Sequence, residues 1–353
     1  MTPRETPMSP DAPRRRSRFW LFAPFVLLAL VVAGWTAAWF VIRGEVEKRL
    51  DARLAAEAAA GRRWECPERA VGGFPFRIEV RCARVAFAGP ALAFTAGPLR
   101  TVTQVYQPRH TIVDLDGPLR LTAGEAVTEA AWSDLKASLQ LKSGGFERVS
   151  LAAEGVSLRV TGLPAGEVAG TARRFEAHLR PDPARPADSA IEVAASLSGA
   201  AAPLLNQLLG GAESIDAELR ASVTQARLGR GTPRDRIESW REAGGRLAIG
   251  SFTASQGPRR VEASGDLGLD PLHRPAGHLD LAAAGVADLL TQLIGPLPGG
   301  GAIEAIQGRI PALGRRETPA DPKLRRLPRL TFADGRLHVG PLPVPRVRLQ
   351  PLY

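Results

Sequence analysis

Ile215-Asp216-Ala217-Glu218-Leu219-Arg220-Ala221-Ser222-Val223 sets an apolar residue at every odd position and a polar or charged one at every even position. Side chains of an extended chain point alternately to its two sides. This period of two therefore predicts a strand with one apolar and one polar face. A helix would carry Asp216, Glu218 and Arg220 around onto the apolar side. The same pattern lies upstream. Ile191, Val193, Ala195 and Leu197 alternate with Glu192, Ala194 and Ser196. Leu135, Ala137, Leu139 and Leu141 alternate with Lys136, Ser138, Gln140 and Lys142. Phe76, Ile78, Val80 and Cys82 alternate with Arg77, Glu79 and Arg81. Shorter runs surround Leu158, Leu247, Leu267 and Leu279. Downstream, Leu330-Thr331-Phe332 and Leu337-His338-Val339 bracket Asp334-Gly335, a dipeptide suited to a two-residue hairpin turn. The expected fold is mainly β: a large, curved, mostly antiparallel sheet with a few short helices.

Helical signals are sparse. Residues 233–243 are expected to form one helix, with Thr232 as N-cap, Pro233 at the first position and Gly244 past the end. Leu204-Leu205-Asn206-Gln207-Leu208-Leu209-Gly210 echoes Leu289-Leu290-Thr291-Gln292-Leu293-Ile294-Gly295, which would fit a repeated strand-then-short-helix unit. The Pro-rich stretches 181–187 and 311–328 read as loops.

The N-terminal region follows other rules. Phe19 to Ile42 holds no charged residue, and a basic cluster at Arg14, Arg15, Arg16 and Arg18 precedes it. A hydrocarbon core of ~30 Å needs about 20 apolar helical residues. The run therefore predicts a transmembrane helix over 19–42, with residues 1–18 as a basic cytoplasmic tail. Trp20 at one end, and Trp35, Trp39 and Phe40 near the other, suit the two headgroup zones. A cleaved signal peptide would have a shorter apolar core ending at a small-x-small site, whereas bulky Trp39, Phe40 and Ile42 close this run. Residues 43–61 read as a helical stalk. Val46, Leu50 and Leu54 form an apolar stripe along it, able to pack on the body or on a partner helix. Residues 62–353 are the β-rich body, expected in the periplasm with the anchor in the inner membrane.

The chain of 353 residues carries 46 Lys and Arg against 36 Asp and Glu, a net charge of +10. Attraction to anionic lipid is one reading of that excess. A GC-rich genome, which favours Arg, Ala, Gly and Pro, is the other. No basic stretch interleaves with aromatics as a nucleic-acid groove would, so nucleic acid is not an expected partner. The two cysteines, Cys66 and Cys82, read as a structural disulfide in an oxidising compartment, worth ~3 kcal/mol in the chain-entropy model. Further Cys or nearby His for a metal are missing, and the spacing is not Cys-x-x-Cys.

Motifs for catalysis are lacking. The sequence contains no His-Glu-x-x-His, Gly-x-Ser-x-Gly or Walker loop, and Gly229-Arg230-Gly231 lacks the third glycine of a dinucleotide turn. His110, His178, His273, His278 and His338 are scattered. His273, His278 and Asp280 fit a loop leading into a strand better than a metal site. Asp114-Leu115-Asp116-Gly117 lacks the rest of a calcium loop and reads as an Asp-Gly turn. An enzyme is therefore not expected, and neither cofactor nor metal is assigned. One cluster is distinctive: Gly72-Gly73-Phe74-Pro75-Phe76-Arg77, between the cysteines. Pro75 favours an extended Phe74, which would set Phe74 and Phe76 on one face of a starting strand. Their rings are expected to seed the core. The alternative is an aromatic rim at the mouth of an apolar groove.

Cys66-Pro67 with Gly73-Phe74-Pro75-Phe76-Arg77-Ile78-Glu79-Val80-Arg81-Cys82 resembles the signature of the DUF2125 family of alphaproteobacterial proteins. Asp334-Gly335-Arg336-Leu337-His338-Val339-Gly340-Pro341-Leu342-Pro343 resembles that family's ending. The family brings no established activity. A weaker similarity points to AsmA-like envelope proteins, whose curved sheets are thought to handle lipid along an apolar inner face; this body is short for a groove bridging two membranes. One-sided strands in large number, with few helices to cover them, point to a membrane-anchored protein that binds phospholipid or another envelope lipid in an apolar groove, or assists envelope assembly. The alternative is a non-enzymatic scaffold that binds another envelope protein and closes its core with its own side chains.

Overall fold

The computed structural model describes residues 19–163, 166–203, 206, 211–226, 232–285 and 324–353. A single helix, α1, runs from Phe19 to Ala59 with Pro24 inside its apolar part. Its apolar segment is long and hydrophobic enough to cross a membrane, and almost all of it is exposed. The helix gives way at Gly61, whose φ of +75° suits a residue without a Cβ.

Most of the remaining described residues are in strands. In chain order these are β1 Arg63–Glu65, β2 Ala70–Gly72, β3 Arg77–Cys82, β4 Val85–Ala88, β5 Ala93–Ala96, β6 Leu99–Gln104 and β7 Gln107–Leu115. Next come β8 Leu119–Ala123, β9 Ala126–Ala131, β10 Asp134–Lys142, β11 Gly145–Thr161, β12 Val168–Pro181, β13 Ile191–Ala200 and β14 Ile215–Val223. The last are β15 Leu247–Gln256, β16 Arg259–Leu269, β17 Pro275–Ala284, β18 Arg325–Arg326, β19 Leu330–Ala333, β20 Arg336–Val339 and β21 Leu342–Arg348. All belong to one open antiparallel sheet.

The topology is simpler than the strand count. β3 continues into β4, β5 into β6, β7 into β8 and β9 into β10, so each pair acts as one long bent strand. β3 pairs with β6 while β4 pairs with β5. β7 pairs with β10 while β8 pairs with β9. β11 then receives β10 along its first part and β9 along its last. The sheet is thus a meander in which each long strand neighbours the next in sequence, through β12 to β17 and on to β21. The bends lie side by side at Ala83, Gly97, Gly117, Ser133 and Gly155. Glycine is required at Gly97, where a Cβ would sit 2.7 Å from the Asp116 carbonyl oxygen. Apolar alternation resumes one residue out of phase beyond these bends, as when Val80 and Cys82 give way to Val85 and Phe87.

The strand spanning Ile215–Val223 has the bounds its alternation predicts. The helix at 233–243 forms as α2, Pro233–Glu242, with Thr232 and Asp235 closing a reciprocal capping box and Gly244 at a φ of +71°. Asp334 and Gly335 both take positive φ between β19 and β20, which is the two-residue hairpin. The echoed segments 204–210 and 289–295 lie outside the described residues, apart from Asn206, as do Gly229-Arg230-Gly231, most of 311–328 and the basic tail.

The helical segment beyond Ile42 does not stand clear of the body. Asp51 pairs with Arg69 just before β2, and Glu57 with Arg62 just before β1. Val46, Leu50 and Leu54 are half-buried on that side. α1 thereby lies along the first edge of the sheet, where unpaired backbone groups would otherwise invite another strand.

Candidate functional site

Cross-strand register brings the alternating residues into continuous rows. One row runs Val71, Val80, Thr101, Val113, Ala137, Leu151, Ala177, Ala195, Leu219, Phe252, Ala263, Leu281, each directly opposite the next. Two positions along the strands, Leu135, Ala153, Phe175, Leu197, Ala217, Ala254, Val261 and Ala283 form a second row. On the other flank a third runs Ile78, Thr103, Thr111, Leu139, Val149, Leu179, Val193, Ala221, Ile249, Gly265, Leu279, Leu330, Val339, its only polar members being Thr103 and Thr111, whose hydroxyls bond each other. Residues directly opposite in a ladder share a face, so the three rows make one apolar band. The band is about 13 Å deep along the strands and, at ~4.8 Å per strand, roughly 60 Å long across them.

The opposite face is charged. Its central row runs Arg81, Arg100, Asp114, Lys136, Ala152, Glu176, Ser196, Glu218, Thr253, Glu262, Ala282, Arg326. Exposed ion pairs stitch this side, among them Arg174 with Glu154 and Glu176, and Arg180 with Glu192. Such pairs suit a surface facing water and contribute little stability each.

Exposure decides what the apolar band is. A sandwich buries its inner faces under a second layer. Here every large side chain of the three rows is partly exposed except Val71. The buried members of the band are otherwise small: Ala153, Ala221 and Ala283. Among the described residues nothing covers this face, so the closed core expected of a self-contained scaffold is not what they form.

The Gly72–Arg77 cluster takes an unexpected place. Phe74, Pro75 and Phe76 form a turn before β3, with a cis bond between Phe74 and Pro75. Gly73 has a φ of +103°, and a Cβ there would meet the Arg77 carbonyl oxygen at 2.6 Å. Phe74 and Phe76 do not seed a core: they are 50% and 59% exposed. Their partners are on α1. The Trp35 indole N–H donates to the Pro75 carbonyl at 2.9 Å, and that of Trp39 to the Arg77 carbonyl at 3.1 Å. Phe76 lies 6.0 Å from the Trp35 ring, and Phe74 5.4 Å from Trp39. Trp39 is only 3% exposed, so it is a buried anchor point rather than a free headgroup ring. The clue in the sequence was the spacing of Trp35 and Trp39, four apart and so on one side of the helix.

Cys66 and Cys82 are bonded, with Cα atoms 5.1 Å apart. The bridge ties the segment between β1 and β2 to the end of β3. Beside it Glu79 is 1% exposed and accepts hydrogen bonds from Arg100 at 2.5 Å and Arg81 at 2.6 Å, with Arg77 at 3.7 Å. The Arg100 guanidinium, then that of Arg81, holds this carboxyl below the usual carboxylate range although burial pushes it up. At the far end Glu238 on α2 pairs with Arg241 and accepts from the Tyr353 hydroxyl, while Tyr353 stacks on His273. Arg241 first and Tyr353 second bring the Glu238 carboxyl down to about 2.

Two of the other histidines have local roles. His110 and His178 bond Ser138 and Ser150. Asp280 is paired with Arg329, and among the described residues no group of His, Cys, Asp and Glu is arranged to hold a metal. Asp116 sits at the bend after β7, donating its N–H to Pro98 and accepting from Gly97.

The family model described as "Uncharacterized protein conserved in bacteria (DUF2125)" matches residues 39–348. The chain belongs to the DUF2125 family. The matched region starts at Trp39 and takes in the Phe74–Phe76 turn, the disulfide and nearly the whole sheet. No curated protein and no solved structure matches the chain.

Proposed function

We propose that this DUF2125 protein is a non-enzymatic lipid-binding protein of the cell envelope. In this reading α1 spans the inner membrane, the arginine-rich tail is cytoplasmic and the sheet is periplasmic. The apolar face of the sheet holds acyl chains of a phospholipid or another envelope lipid. The observation that carries it is the band of three apolar rows whose large side chains stay partly exposed. An apolar face of such length in contact with water is costly at about 25 cal/mol per Å², so an apolar occupant is favoured. A width of about 13 Å accepts extended acyl chains, and the band offers them no charged neighbour along its three rows. The arginines at 14–16 and 18 support the orientation, and the disulfide supports an oxidising compartment.

Purified full-length protein loaded with a phospholipid that carries a diazirine at its acyl tail tests this directly. Crosslinks on peptides bearing Leu139, Leu151, Phe175 and Leu219 are expected. Labelling confined to α1 would leave the anchor and remove the groove. Saturation of the band by a co-purifying envelope protein instead of lipid would favour a scaffold.

A further inference from the structure

We infer that the turn Gly73–Arg77 inserts into the membrane leaflet beside α1 and sets the upper end of the sheet directly on the lipid. This deepens the proposed function and rests on α1 crossing a membrane. Trp35 stands seven residues before Ile42, the last residue ahead of Arg43. Arg43 is eight residues on, which at 1.5 Å per residue places Trp35 about 12 Å on the apolar side of the first charge. Trp35 and Trp39 hold the turn at their own level by two hydrogen bonds to its backbone. Whatever depth α1 takes, Pro75 and Phe76 share it.

The exposed surface there has the right chemistry. Phe74 and Phe76 keep half or more of their rings open although α1 lies against them. Tyr106, at the tip of the β6–β7 hairpin, is 65% exposed, and that tip is tied to the turn by the Val105 N–H donating to the Phe76 carbonyl at 3.0 Å. Aromatic rings at this level match the aromatic belt of membrane proteins. Exposed Arg77, Arg109 and Lys142 lie at the same end of their strands, where phosphate headgroups would meet them. Ile78 follows the turn by one residue and Val80, on the same face and opposite Val71, by three. A lipid leaving the leaflet at the turn would therefore meet the edge of the apolar face at Ile78 and Val80.

Site-specific fluorescence tests this on the full chain in nanodiscs of mixed zwitterionic and anionic phospholipid. Single cysteines at Phe76→Cys and Tyr106→Cys are labelled with a polarity-sensitive dye under non-reducing conditions, the native pair being bonded. Leu28→Cys serves as the membrane reference and Ala91→Cys, at the opposite end of the strands, as the water reference. Blue-shifted emission and quenching by headgroup-proximal nitroxide lipid are expected at positions 76 and 106 and not at 91. Blue-shifted emission at 28 with unshifted, unquenched dye at 76 and 106 overturns the insertion and leaves the anchor standing. Unshifted emission at 28 overturns the membrane reading and the insertion with it. Tyr106→Cys lies on an exposed tip, so it reports even where a change at Phe76 disturbs the turn.

Discussion

Ala195→Trp separates an open face from a covered one. Ala195 lies in the middle of the central row, with Ala177 and Leu219 opposite it and Val193 and Leu197 two positions away on β13. An indole placed there would spread over the small Ala177 and against Leu219. If about half of its ~200 Å² becomes buried on the sheet, apolar transfer at 25 cal/mol per Å² gives roughly 2.5 kcal/mol. Lost rotamer freedom, of order 1 kcal/mol, and incomplete cross-strand packing offset most of this. The expected change is between zero and about 1 kcal/mol of stabilisation. Beneath a second layer the same substitution would overpack by many methylenes and cost about 3 kcal/mol or more. Urea titration of the full chain, followed by circular dichroism, measures the difference. Acyl-chain crosslinking to the central row should fall in the same variant, because the ring occupies the band. A loss of 3 kcal/mol or more in stability would mean that the face is covered by the protein itself, and the argument from exposure would fail.

Three further perturbations act on the first edge and on the far end. Cys66→Ser with Cys82→Ser opens a bridge of sequence separation 16 and should cost ~3 kcal/mol in denaturant titration, with hydrogen exchange rising first in β1 to β3. Glu79→Gln leaves three guanidinium groups without their carboxylate; a loss of about 1–3 kcal/mol is expected, below that of a fully buried pair because the arginines are about half exposed. The Glu79 carboxyl titrates below its usual range when folded, so its contribution is full above that range and lost as pH falls through the lowered value; Glu79→Gln should flatten this acid limb. Glu238, brought down to about 2, should likewise hold α2 and Tyr353 in place above about pH 4.5 and release them between there and pH 2, visible as hydrogen exchange in α2 that Glu238→Gln makes independent of pH.

Much of this was legible from local chemistry. Ile215–Val223, the Thr232-capped helix and the Asp334-Gly335 hairpin follow from period and turn residues alone, because alternation and capping act over a few bonds. The Phe74–Phe76 turn is not legible from local pattern, because extending the strand backwards from Arg77 ignores what Gly73 permits, and because the partners of the two rings lie 35 and 41 residues upstream on α1.

The sequence by itself determined an apolar helix at the start, a series of two-faced strands after it and a cysteine pair near the first of them. It also determined which residues belong to the apolar side of each strand. Only the tertiary structure decided that those sides join, strand after strand, into one band, since that depends on register between segments far apart in the chain. Only the structure decided that the band stays uncovered by the described residues. Alternation states which face avoids water and is silent on what, if anything, meets it. The docking of the first turn on Trp35 and Trp39 is of the same kind: two hydrogen bonds and a few ring contacts, each non-local, that fix where the sheet stands against the helix.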